Sequence, residues 1–218
     1  MLNTQILGYT HLKTPIEIKQ LTKGPKNILF IGGVHGDEPE GFGLIERFID
    51  QSPWQKAEGK LSLWVIPRLN PDGCTKNERT NSKGVDLNRN MPTRDWTPEI
   101  RAPRYNPGPS PASELETLAL MEFIDTQNPV GILSAHSWEP MINYNGPAKE
   151  WAEFISTFNK YRISDDIGYP TPGSLGTWAG WERNIPTITL EVERGLKPAD
   201  VWQVHNEAIF QALNFWLG

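Results

Sequence analysis

Asn27-Ile-Leu-Phe-Ile-Gly-Gly-Val-His-Gly-Asp-Glu-Pro39 decides the fold, because it joins an apolar run to a glycine turn and a helix start. Residues 27–33 read as a buried central strand, and Gly32, Gly33 and Gly36 turn the chain. Pro39 suits the first helical position, where a missing N–H costs little. The turn therefore delivers His35 and Glu38 to the mouth of a helix expected over 40–51. An imidazole and a carboxylate three residues apart can grip one Zn²⁺, and a catalytic zinc site needs three protein ligands plus a water. The third ligand has to come from elsewhere in the chain.

Outward from this stretch, strands alternate with helices. Short edge strands are expected over 2–8 and 15–20, further strands over 61–67, 130–135 and 186–192, and helices over 147–160, 174–183 and 198–217. Residues 70–112 hold Pro71, Pro92, Pro98, Pro103, Pro107, Pro109 and Pro111 and no sustained period, so they read mostly as loop; loops of that length in compact domains usually bind or cover something. Ser113 with Glu116 has capping-box spacing, and Leu118, Leu120, Met121 and Ile124 supply an apolar face to the helix that follows. The pattern is that of an α/β fold: a mixed, mostly parallel twisted sheet covered by helices on both faces. No linker or composition shift divides residues 1–218, and one domain is expected.

Composition narrows the function classes. With 38% hydrophobic and 22% charged residues the chain can build a sizeable core. A net charge of −5 offers no basic stripe for phosphate backbones, so nucleic acid is not an expected partner. Cys74 is the only cysteine, which rules out an internal disulfide and a cysteine zinc site. No apolar run is long enough for a membrane span, and the first residues lack a basic and apolar leader pattern; a cytoplasmic location is expected.

His35, His136 and Glu191 each follow or end an apolar strand. Ligands in open α/β sheets gather outside the carboxyl ends of strands, so residues far apart in sequence meet there. His136 is thus the natural third ligand. The other two histidines, His11 in an early loop and His205 in the last helix, suit surface or helix roles.

His35-Gly-Asp-Glu38, Asn70-Pro-Asp-Gly73, Arg79, Gly84-Val-Asp-Leu-Asn-Arg-Asn90, His136-Ser137 and Thr189-Leu-Glu191 follow one another in an order that resembles the zinc carboxypeptidase family. Asn-Pro-Asp-Gly alone reads as a turn. Tyr105-Asn-Pro-Gly-Pro109, Ser113-Glu-Leu-Glu-Thr117 and Gly168-Tyr-Pro-Thr-Pro-Gly-Ser-Leu-Gly176 look like its bacterial murein tripeptide amidase branch, which cleaves between γ-D-glutamate and meso-diaminopimelate. The resemblance implies a zinc-carboxypeptidase-like fold, one Zn²⁺ per chain held by His35, Glu38 and His136, and a small cell-wall peptide as substrate.

The resemblance also assigns roles. Glu191 matches the general base, with Glu193 as its rival two residues on; Arg79 matches the oxyanion-stabilising arginine; Asn88 and Arg89 match the pair that holds the substrate's free carboxylate. Asp86 would accept the second ring N–H of His35 and fix its tautomer. A cis bond is implied between Ser137 and Trp138. Tyr169 lies near the position of the digestive members' mobile tyrosine and is assigned no catalytic role, and Leu175-Gly-Thr-Trp178 departs from their pocket floor, so side-chain preferences do not carry over. Trp64, Trp202 and Trp216 read as core, while Trp138, Trp178 and Trp181 lie nearer the expected cleft. An N-acyl amino-acid deacylase, or an inactive zinc-binding module, are the alternatives; Asn70-Pro-Asp-Gly73 favours the peptidase over the first, and Glu191 with Arg79 argues against the second.

Overall fold

The computed structural model describes residues 3–218, so residue 2 of the first expected strand lies outside it. Eight strands form one sheet: β1 (Asn3–Tyr9), β2 (Pro15–Gln20), β3 (Lys26–Ile31), β4 (Leu61–Ile66), β5 (Ile132–Trp138), β6 (Met141–Asn145), β7 (Arg162–Ser164) and β8 (Thr187–Glu193). Their spatial order is β1-β2-β4-β3-β5-β8-β6-β7. The central pairs β4–β3, β3–β5 and β5–β8 are parallel, as is β6–β7, while β1–β2, β2–β4 and β6–β8 are antiparallel. Only β1 of the two expected edge strands is an edge, because β2 pairs on both sides.

The central strands feed two cores. In β3, Ile28 and Phe30 join one apolar cluster, and Leu29 and Ile31 the other. Such period-two alternation between two buried faces is why the strand reads as continuously apolar. The first face is covered by α1 (Pro39–Gln51), α4 (Lys149–Asn159) and α5 (Pro198–Asn214), through Phe48, Trp151 and Ile209 among others. The second is covered by α3 (Leu115–Gln127), with Leu120 and Ile124, and by a π-helical turn at Gly176–Trp181, where Trp178 is fully buried. Trp64 lies in this second core, and Trp202 and Trp216 pack against the first.

Several local expectations are corrected. Ser113 does not cap α3: Glu114 precedes the helix without a side-chain cap, and Ser113 is occupied by Asn90 Nδ2 at 3.0 Å and by Glu114 at 2.7 Å. Glu116 is buried against Asn81 rather than closing a capping box. Leu118 faces solvent. Asn70-Pro-Asp-Gly opens a short helix, α2 (Pro71–Lys76), with Asn70 Oδ1 accepting from the Gly73 N–H at 2.9 Å. No cis peptide bond occurs among the described residues, so the Ser137–Trp138 bond is trans and β5 continues to pair, Trp138 opposite Glu193.

His205 is buried on α5, where its Nε2 shares a 3.1 Å hydrogen bond with the Tyr161 hydroxyl, and burial pushes its pKa down to about 4. The unfolded chain takes up this proton below about 6.5, whereas the folded one resists until about 4, so stability is lost as pH falls through that window. The loss is on the order of 3 kcal/mol. Urea unfolding at pH 7 and pH 4.5 should therefore show a smaller acid destabilisation in His205→Gln than in wild type; equal losses would remove His205 from the explanation.

Candidate metal centre and active site

Three elements bring the metal-ligand types together. Gly32 and Gly33 carry the chain from β3 to His35, Glu38 occupies the cap position of α1, and His136 lies in the neighbouring parallel strand β5. Close backbone approach permits the meeting. A Cβ on Gly41 would sit 2.7 Å from the Ala135 carbonyl oxygen and 2.9 Å from His136 Cα, so α1 reaches β5 only with glycine there. A Cβ on Gly36 would come within 2.0 Å of the Gly73 backbone, which seats the turn against α2.

The resulting geometry is compact. Glu38 Oε1 lies 3.0 Å from His35 Nδ1, Glu38 Oε2 2.9 Å from His136 Nδ1, and the two Nδ1 atoms 3.1 Å from each other. All three side chains are buried. His35 Nε2 lies 3.0 Å from Asp86 Oδ1 and His136 Nε2 3.0 Å from Ser134 Oγ, so each ring has a partner for an Nε2–H and can turn an Nδ1 lone pair inward. Two imidazole nitrogens and a carboxylate facing one point, at separations near the roughly 3.3 Å edge of a zinc tetrahedron, fit a cation with one position left for water. Two inward lone pairs 3.1 Å apart repel each other unless a cation or a proton lies between them.

Electrostatics follow from these contacts. Burial opposes charge on Glu38, but His35 and His136 and their hydrogen bonds hold its pKa well below the usual carboxylate range. Asp86 is likewise held low against its burial by His35 and Arg79. Burial and Arg79 pull the His35 pKa down, yet Glu38 and Asp86 prevail and raise it, so metal binding would displace a proton there. Arg79 Nε donates to Asp86 Oδ2 at 2.9 Å and its Nη1 to Glu38 Oε1 at 3.1 Å, spanning the carboxylates on either side of His35.

Glu191 pairs directly with His136 across β5 and β8. Burial pushes its pKa up to about 7, with Glu38 adding to the rise and His136 opposing it. Its Oε2 is buried and has no hydrogen-bond partner among the described residues. Glu191 lines the cleft, whereas Glu193 is exposed at the strand exit and does not.

A cleft of about 620 Å³ opens over the cluster and is also lined by Arg79, Asn88, Arg89, Trp138 and Tyr169. Asn88 is fixed by its Oδ1, which accepts from the Leu175 N–H at 2.8 Å, and its N–H donates to Asp86 Oδ1 at 2.9 Å. Arg89 is buried and donates to the Asn88 carbonyl at 2.6 Å. Trp138 and Trp181 line the cleft, while Trp178 closes the core. Sequence reading missed Asn143, Asn145, Arg104 and Arg194 in the lining. Arg194 follows β8 directly, so the strand-end rule that found Glu191 reaches it; Asn143 and Asn145 lie on β6, which carries no strong strand pattern.

Comparison with known proteins agrees with this geometry. The zinc carboxypeptidase family model matches residues 1–150, which include His35, Glu38, Arg79, Asn88, Arg89 and His136. Murein peptide amidase A of Vibrio campbellii is 31% identical over 199 residues, covering 86% of this chain and 76% of that protein. Murein-tripeptide amidase MpaA from Escherichia coli O157 superposes with a TM-score of 0.79 at 24% identity, covering 99% of this chain and 92% of that one. The carboxypeptidase A of Helicoverpa armigera gives 0.82 at 14% identity, covering 99% of this chain and 68% of its own. At such identities the structural likenesses speak to the fold alone.

Proposed function

This chain belongs to the zinc carboxypeptidase family and is a zinc-dependent amide hydrolase, and we propose that it cleaves the γ-D-glutamyl–meso-diaminopimelate bond of murein tripeptide. The observation that carries the reading is Glu191: a buried carboxylate with one oxygen unpartnered among the described residues, set across the sheet from His136 of the candidate metal centre. The 31% identity to murein peptide amidase A supports the substrate class.

In this reading His35, Glu38 and His136 hold the ion. Zinc supplies Lewis acidity towards the scissile carbonyl and lowers the pKa of a water. Glu191 accepts the proton of the attacking water and delivers it to the departing amine, and burial, which raises its pKa, strengthens it as the base for that task. Arg79 faces the oxygen that gains charge, held in place by Asp86 and Glu38. Asn88 and Arg89 receive the carboxylate of diaminopimelate beside the cleaved bond. Residues 1–218 act as one catalytic domain, supported by the single sheet with both cores packed on it. We place the activity in the cytoplasm, where a chain with Cys74 as its only cysteine loses nothing by lacking disulfides. No helix among the described residues is long and apolar enough to cross a membrane.

The test is to incubate zinc-loaded protein with L-Ala-γ-D-Glu-meso-diaminopimelate and follow released diaminopimelate. Rapid release is expected. Faster turnover of ordinary L-peptides or N-acyl aspartate would overturn the substrate.

A further inference from the structure

Tyr105 belongs to a sequence motif that the mechanism leaves unused, yet its ring lies among cleft arginines. The Arg79, Arg89 and Arg104 guanidinium carbons sit over it at 5.2, 5.7 and 5.5 Å from its centroid. Two of these cations have carboxylate partners: Arg79 has Asp86 and Glu38, and Arg104 has Asp37 at 3.3 Å. Arg89 is different. It is only 6% exposed, its charge acts on Asp86, and yet among the described residues it forms no direct ion pair, Asp86 being engaged by His35 and Arg79. A buried cation with no carboxylate bonded to it is costly, and the negative face of an aromatic ring is one of the few neutral groups that offsets it.

The backbone next to the ring is tied down. The next residue, Asn106, accepts the Asp86 N–H at its carbonyl at 2.8 Å and donates from Nδ2 to the Gly84 carbonyl at 2.9 Å. The 84–86 segment carries Asp86, which also bonds His35, Arg79 and the Asn88 N–H. Tyr105 is thus tied to the same framework as the metal centre, although it comes from the long proline-rich loop.

Resting on the proposed reading that Arg89 receives the substrate carboxylate, we propose that Tyr105 is a positioning residue for that recognition. Its ring holds Arg89 in place beside Arg79 and bonded to no protein carboxylate, so that an incoming carboxylate becomes its direct partner.

The test compares wild type with Tyr105→Phe, Tyr105→Leu and, as a second ring-free variant of similar bulk, Tyr105→Met. Each is assayed with L-Ala-γ-D-Glu-meso-diaminopimelate and with its counterpart in which the carboxylate beside the cleaved bond is a carboxamide; zinc content and melting temperature are recorded alongside. Leu and Met are expected to raise KM for the acid about tenfold while leaving KM for the carboxamide within about twofold, and Phe to stay close to wild type. Equal effects on both substrates, or an acid KM unchanged in Leu and Met, overturn the inference while the wild-type preference for the acid stands. A wild-type enzyme that takes acid and carboxamide equally overturns the carboxylate reading, and this inference with it.

Discussion

Glu191→Gln should lower kcat by about 10²- to 10⁴-fold while the protein still binds one zinc per chain, because the amide retains the shape of the side chain and removes only its ability to accept a proton. The separation is informative, since Glu191 lies beside the metal centre without being one of its three convergent residues. The pH profile gives the same test a sign. With its pKa raised to about 7 by burial, Glu191 is protonated and idle below that value, so kcat/KM should climb with pH on the acid side; a bound cation adds positive charge and moves the limb lower. In the Gln variant that limb should vanish, leaving a low rate. A Gln variant with near wild-type kcat would remove the base role from Glu191.

Arg79→Ala comes next in size. Removing one preorganised oxyanion donor costs about 10²- to 10³-fold in kcat. In this chain the loss also strands Asp86 and Glu38, both buried, without their shared cation. Breaking such a buried pair costs about 3–5 kcal/mol, so a lower melting temperature should accompany the lower kcat. Arg79→Lys should recover little: Nε and Nη1 reach two different carboxylates, and an ammonium on a flexible stem cannot reproduce that fork. KM should change far less than kcat, which separates Arg79 from Arg89. Full activity in Arg79→Lys would mean that a point charge suffices there and that the oxyanion role is misassigned.

How much of this was legible depended on whether the signal was local. The turn at Gly32–Pro39 announced itself because a buried strand, glycines and a helix-starting proline each have one strong physical meaning. His136 and Glu191 could be placed without knowing the intervening path, since parallel strands deliver their carboxyl ends to one edge. Strand β6, Met-Ile-Asn-Tyr-Asn, alternates weakly and is short, and β7 has three residues, so neither stood out although β6 supplies Asn143 and Asn145 to the cleft. Ser113 failed as a cap because Asn90, twenty-three residues earlier, claims its hydroxyl, a tertiary competitor that no spacing rule contains. Tyr105 was visible as part of a motif, but its consequence lies in arginines 16 and 26 residues away, brought together by a loop without periodicity.

Zinc content and diaminopimelate release, measured together through removal and return of metal, test the centre most directly. Chelated protein should lose turnover and regain it as zinc returns, reaching a plateau at one ion per chain, while His136→Ala should recover neither metal nor rate. Undiminished hydrolysis by zinc-free protein, or a His136→Ala variant that holds one zinc and works at the wild-type rate, would contradict a catalytic ion held by His35, Glu38 and His136.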